Sequence, residues 1–157
     1  MKREDVLQEL QTSHREAILA VEEKSAKRVY IEIQPEALHK MASHLFWDLG
    51  ARFNTASGVD TRSHIEILYH FILEEINLLI SLRVKLDREH PKIVSLTSCF
   101  EAANWIEREI HELLGVEFVD HPDPRRLLLP DNWPEGVFPL RQDYREWDPQ
   151  AIRDRGV

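Results

Sequence analysis

The chain has 157 residues and a formal net charge of −8, from 20 Lys and Arg against 28 Asp and Glu. Apolar residues make up 43% of it, enough for one folded domain with a real core. The acidic balance argues against nucleic acid and anionic membrane surfaces as direct partners, because both need clustered Lys and Arg. One cysteine, Cys99, excludes an internal disulfide framework and any all-cysteine metal or iron–sulfur site built by this chain alone.

The amino-terminal stretch, MKREDVLQEL, is charged throughout and lacks the apolar region of a secretory signal. No apolar run approaches the ~20 residues that span a bilayer. In chain order, residues 2–22 are expected to form an amphipathic helix, with Val6, Leu7, Leu10, His14, Ala17, Ile18 and Val21 on one arc. Lys24 to Lys27 break that pattern. Arg28 to Ile33 then alternate as a short strand.

Pro35 suits a first helical position, and the second helix runs from it to just before Gly50. Leu38, Met41, Ala42, Leu45, Phe46 and Leu49 form its buried stripe. Trp47 lies opposite the stripe and is expected to find cover within the chain, the alternative being a contact with another subunit. His39 and His44 lean to the surface of this helix.

Residues 51–60 read as a polar strand or strand plus loop. Two alternating runs follow, Ile65 to Leu73 and Ile76 to Leu86, joined at Glu74-Glu75 as an antiparallel hairpin. Leu68, Ile72 and Leu79 make the second face partly apolar. His64 and His70 share a face of one strand but are too far apart to hold one ion.

His90-Pro91 ends the hairpin, and Ile93 to Leu96 form a short extended piece. A helix is expected from Cys99 to Leu114, capped by Ser98 with Glu101 in a capping box and stopped by Gly115. These elements give an α+β fold of two layers, a largely antiparallel sheet with helices packed on it and no long parallel crossover.

From Val116 onward the composition changes. Six of the eight prolines lie here, at 122, 124, 130, 134, 139 and 149, which disfavours helices and central strands. Phe118, Leu127, Leu128, Leu129, Trp133, Phe138 and Trp147 are too much apolar surface for a solvated tail. The expected organisation is an α+β domain over 1–115 and an extended proline-rich arm over 116–157. The arm orders against a partner or wraps its own domain.

Glu107 falls inside the apolar stripe of the last helix, between Phe100 and Ala103. A buried carboxylate must be paired or protonated, and Arg125 and Arg126 are the expected fork-type partners. The tie is read as structural, since neither a nucleophile nor a phosphate loop stands nearby. His111, Glu112, His121 and Asp123 match no metal-binding spacing and are read as turn-stabilising residues. Glycine-rich phosphate loops and Ser–His–Asp or Cys–His arrangements are absent from the sequence. The residues alone describe a binding or scaffold subunit.

Residues 104–144 then carry a resemblance. Glu107-Arg108-Glu109, Glu112, Leu113-Leu114-Gly115, His121-Pro122-Asp123, Arg125-Arg126 and Pro139-Leu140-Arg141 are similar to the pattern of the 30-kDa (C-type) subunit of respiratory complex I and its hydrogenase relatives. Complex I subunits usually have a Met-Phe pair before the glycine and Leu at the position of Pro124. The stretch Leu-Leu-Pro-Asp-Asn-Trp-Pro (128–134) resembles the version in membrane-bound, energy-converting [NiFe] hydrogenases, and the expectation is a stand-alone subunit not fused to a large catalytic one.

The resemblance implies a cofactor-free, non-catalytic subunit on the cytoplasmic side of the cell membrane, in the peripheral arm of an ion-translocating complex. Its partners would be a large catalytic (hydrogenase or 49-kDa-like) subunit, a small Fe–S subunit and a ferredoxin-like Fe–S subunit. Those partners would carry the Fe–S clusters and any NiFe centre. The interface and arm-anchoring residues implied are Glu107, Arg108, Glu109, Glu112, His121, Asp123, Arg125, Arg126, Trp133, Arg141 and Asp143. The same architecture serves a complex I-like NADH or ferredoxin:quinone oxidoreductase or a sulfane-sulfur reductase. From another class, His111, Glu112, His121 and Asp123 would serve a small metal-dependent hydrolase.

Overall fold

The computed structural model describes residues 1–145; Trp147 and Pro149 of the expected arm lie outside the described residues. Helix α1 (Arg3–Ser13) is followed by strands β1 (Ile18–Ser25) and β2 (Arg28–Ile33). After a tight turn at Pro35–Ala37 comes α2 (Leu38–Ser43), which widens into a π turn over His44–Asp48. Strands β3 (Arg52–Asp60), β4 (His64–Leu73) and β5 (Leu78–Asp87) follow, then β6 (Lys92–Val94), α3 (Ala103–Leu114) and β7 (Glu117–Val119).

The main sheet has the order β1-β2-β5-β4-β3. All its pairs are antiparallel except β2 with β5. The period-two runs do what they predict: Ile65, Ile67, Tyr69, Phe71 and Leu73 are buried and pair across to buried Leu86, Val84, Leu82, Ile80 and Leu78. Val6, Leu7 and Leu10 from α1, Leu38, Met41 and Leu45 from α2, and Ala103, Ile110 and Leu114 from α3 complete one core on that face. Burial of this much apolar area is the main stabilising term. The architecture is therefore α+β with a mostly antiparallel sheet.

Four expectations are corrected. The first helix does not reach residue 22, because Ile18 and Val21, which fit a helical arc, pair with Ile33 and Ile31 of β2. The last helix starts at Ala103 without a side-chain cap. Ser98 is instead 2.9 Å from His39 Nε2, and the Leu96 carbonyl accepts both the Cys99 and Phe100 N–H groups, which holds 99–102 in turns. Trp47 is not covered as expected: it is 68% exposed and stands T-shaped to the Phe46 ring. His44 is turned inward, between His14 Nε2 at 2.8 Å and Glu9 Oε1 at 3.0 Å.

A short parallel crossover also exists. β6 and β7 pair in parallel, joined by α3. The hydrogen bond from Ser95 N–H to the Val119 carbonyl extends that ladder. Val116 and Phe118 belong to the same core as the rest. The unit matters because it delivers the chain at Asp120, in a left-handed turn (φ 64°), to the outer side of α3.

Candidate docking surface

α3 is the platform. Its inward side buries Ala103, Ile110 and Leu114, and Gly58 lets it approach β3: a Cβ at 58 would sit 2.5 Å from Leu114 Cδ1. Gly115 ends the helix at φ +77°, a conformation that L side chains rarely adopt. Gly115 also leaves room for the Phe138 ring, which comes within 2.5 Å of where a Cβ would stand.

Arg108 and Glu112 share the outward side, one turn apart. Arg108 donates from Nε to the Arg125 carbonyl at 2.8 Å and from Nη2 to the Arg126 carbonyl at 2.9 Å. The Glu112 carboxylate accepts the N–H groups of Leu127, Leu128 and Leu129 at 3.0, 2.6 and 3.3 Å. Residues 125–129 thus lie along α3, fixed through their backbone. Charge-assisted bonds of this kind are the stronger ones.

Further along, the Leu140 N–H donates to the Leu113 carbonyl at 3.0 Å. Arg141 donates to the carbonyls of Leu114 and Arg88, at 2.6 and 2.9 Å. Arg88 forms a two-pronged pair with buried Asp60, both bonds 2.9 Å, and reaches Asp143 at 3.2 Å. Asp60 also accepts the Gln142 N–H at 2.9 Å. The Arg88 guanidinium holds the Asp60 carboxyl far below the usual carboxylate range, and Arg88 is raised in turn. Trp133 donates to the Val137 carbonyl at 2.8 Å and stacks on Tyr144. Arg126 donates to the carbonyls of Pro130 and Asp131, which rounds the loop between these points.

The structure therefore brings Arg108, Glu112, Arg125, Arg126 and Arg141 into one assembly with α3. Asp123 pairs with Arg125 at 2.7 and 2.8 Å, and that hydrogen bonding keeps the Asp123 carboxyl down at about 2. Glu109 is half-buried on α3. The expected Glu107–Arg tie is corrected. Glu107 is fully buried, but Oε1 accepts the Leu96 N–H at 2.6 Å and Oε2 stands 2.6 Å from Ser95 Oγ. Burial pushes its carboxyl up to about 7 against those two bonds. The partner is the backbone before α3, not the arm.

His111 and His121 are each committed to the backbone. His111 Nδ1 lies 2.8 Å from the Val116 carbonyl, and His121 Nε2 lies 3.0 Å from that of Asn104. No group of three potential metal ligands stands together among the described residues. Sequence reasoning missed the Asp60–Arg88–Gln142 clasp: its members lie on β3, after β5 and in the arm, and only the pairing of β3, β4 and β5 brings them together.

Several apolar side chains remain outside. Trp105 on α3 is 69% exposed, and Leu128 and Leu140 of the arm are 60% and 57% exposed. Between the arm and α3 a cavity of about 400 Å3 is lined in part by His111, Arg126, Trp133 and Phe138. Exposed Trp and Leu on α3 and on the arm tied to it have the composition of a protein-docking surface. Among the described residues no helix is long and apolar enough to cross a membrane.

The family model for the 30 Kd subunit of respiratory-chain NADH dehydrogenase matches residues 31–150. The C-type subunit of the F(420)H(2) dehydrogenase of Methanosarcina mazei is 37% identical over 102 residues, 64% of this chain and 64% of that one. Component G of hydrogenase-4 of Escherichia coli is 30% identical over 148 residues, 92% of this chain and 27% of that one. The chain thus spans less than two thirds of these relatives. A chain of the membrane-bound sulfane sulfur reductase, an archaeal respiratory membrane complex, superposes with a TM-score of 0.80 over 98% of this chain and 90% of its own, at 17% identity, so the fold is shared. The chain belongs to the family of the 30-kDa subunit of respiratory-chain NADH dehydrogenase.

Proposed function

We propose that this chain is a cofactor-free structural subunit of the cytoplasmic peripheral arm of a membrane-bound, ion-translocating, hydrogenase-type electron-transfer complex. Its role is to hold a large catalytic subunit and a small Fe–S subunit, with a ferredoxin-like Fe–S subunit beside them, at fixed spacing. The clusters and any NiFe centre belong to those partners. The observation that supports this reading is the arm's construction. Its backbone is tied to α3 by Arg108 and Glu112, while the side chains of Arg125, Leu128 and Leu140 on the arm, and Trp105 on α3, are left exposed. Glu107, Glu109, His121, Asp123, Trp133, Arg141 and Asp143 support the arm or its root, and residues 116–157 act as the docking arm.

The second reading keeps the role and changes the chemistry of the partners to that of a complex I-like NADH or ferredoxin:quinone oxidoreductase or a sulfane-sulfur reductase. The family description and the dehydrogenase relative favour it. A tag on this chain, used to isolate its native complex, separates the readings. Co-isolation of Fe–S subunits with nickel and iron supports the hydrogenase type. Iron without nickel supports the second reading. A chain isolated alone that holds stoichiometric metal and turns over a hydrolysable substrate overturns both.

A further inference from the structure

The root of the arm contains a buried carboxylate with two donors that it does not use. Glu107 holds the Leu96 N–H and faces Ser95 Oγ, itself 2.7 Å from Thr97 Oγ1. The Tyr69 hydroxyl, from β4, is buried without a hydrogen-bond partner, and burial and the Glu107 charge both raise its pKa. His121, whose side chain is 4% exposed, has Nε2 3.9 Å from Glu107 Oε2. Its hydrogen bonds define its tautomer: Nε2 donates to the Asn104 carbonyl, and Nδ1 accepts the Asp123 N–H at 3.0 Å. The neutral ring therefore ties α3 to the first turn of the arm.

We propose that Glu107 is a proton-controlled latch at the root of the arm. When the carboxyl releases its proton to water, the carboxylate draws the Nε2–H of His121 off the Asn104 carbonyl, and the His121–Asp123 turn moves with the ring. The Tyr69 O–H gives the carboxylate a second donor. The driving force is the cost of an under-partnered buried charge, which exceeds that of taking one donor from a neutral carbonyl. The other charged groups around the site do not replace His121. Arg108 is bound to the carbonyls of Arg125 and Arg126, and His111 to that of Val116. Glu117 of β7 lines the same small cavity of about 70 Å3 and is itself an acid. Arg108, His121 and Pro124 line that cavity together with Glu107.

The test is an NMR titration of the full chain from about pH 5 to about pH 9. It follows the Glu107 carboxyl carbon, the His121 ring nitrogens and the Asp123 amide. The expected result is one common midpoint near 7 for all three. In Glu107→Gln the His121 and Asp123 signals should no longer move around that midpoint. A carboxyl that does not titrate in this range overturns the latch. So does movement of His121 and Asp123 at a midpoint other than that of Glu107, which the unmodified chain alone reveals if the variant does not fold.

Discussion

Arg108 and Glu112 stand one turn apart on α3, and each directs its charge at the backbone of the arm, the cation at two carbonyls and the anion at three amides. Oppositely charged residues at this spacing commonly pair with each other on a helix surface. Here they grip a chain of almost any side-chain sequence, because peptide groups are the ligands. Glu112→Ala should leave three N–H groups to water and lower stability by about 2 kcal/mol. The sharper readout is local. Amide hydrogen exchange at Leu127 and Leu128 should speed up by roughly tenfold or more while β4 and β5 stay protected. Unchanged exchange at 127–129 would show that the grip contributes nothing.

Gly115→Ala adds two penalties. The left-handed backbone costs an L residue about 1 kcal/mol, and the new Cβ meets the Phe138 ring. The ring is on the arm, so the arm gives way before the core does. The expected outcome is a loss of about 2 kcal/mol together with a red shift of Trp emission, as Trp133 leaves Tyr144. Replacement of Phe138 by Ala in the same chain should recover the part due to contact and leave the backbone part. Full additivity of the two variants would mean that the ring does not touch Gly115.

Asp60 and Arg88 give the fold its acid limb. The folded-state pKa of Asp60 is depressed, with hydrogen bonding to Arg88 as the first cause. The sign follows: the stabilisation is present above the unfolded value of 3.8 and is lost as pH falls below it. Urea midpoints should therefore drop steeply below about pH 4. Asp60→Asn should flatten that drop and lower stability at neutral pH, by about 3 kcal/mol, since it breaks a two-pronged pair at a buried position. A variant with the parent's acid slope would remove Asp60 from this role.

The legible parts of the sequence are those where the signal is local. The period-two runs of β4 and β5 cannot be helices, and their faces were readable residue by residue. Ile18 and Val21 fit both a helical arc and a strand, and only pairing with β2 decides between them. Ser98 has the chemistry of a cap, yet His39 from α2 takes its hydroxyl. The burial of Glu107 was visible in the helical stripe. Its partner was not, because a backbone amide and a serine carry less signal than the two arginines nearby. The same holds for the docking surface. Arg108, Glu112 and Arg141 stand out as family residues, but their ligands are peptide groups of the arm.

Glu107 gives the opposite pH behaviour from Asp60. Burial raises its carboxyl from 4.5 to about 7, and Leu96 and Ser95 only partly offset that. The folded state therefore holds a proton that the unfolded chain releases above about pH 4.5. The favourable contribution is complete below that value and is lost as pH rises through about 7. At about 1.4 kcal/mol per unit, the loss is on the order of 3 kcal/mol. Glu107→Gln keeps an acceptor for the Leu96 N–H and places a donor toward Ser95 Oγ, so it mimics the protonated acid at every pH. Denaturant melts should show the variant near parity with the parent at about pH 5 and more stable at about pH 8. His14 and His70, both lowered by burial, add a slope of opposite sign, but they are common to both chains, so the difference between parent and Glu107→Gln isolates the carboxyl. A variant less stable than the parent at the alkaline end would mean that the carboxylate is well solvated in the fold and that its burial carries no proton linkage.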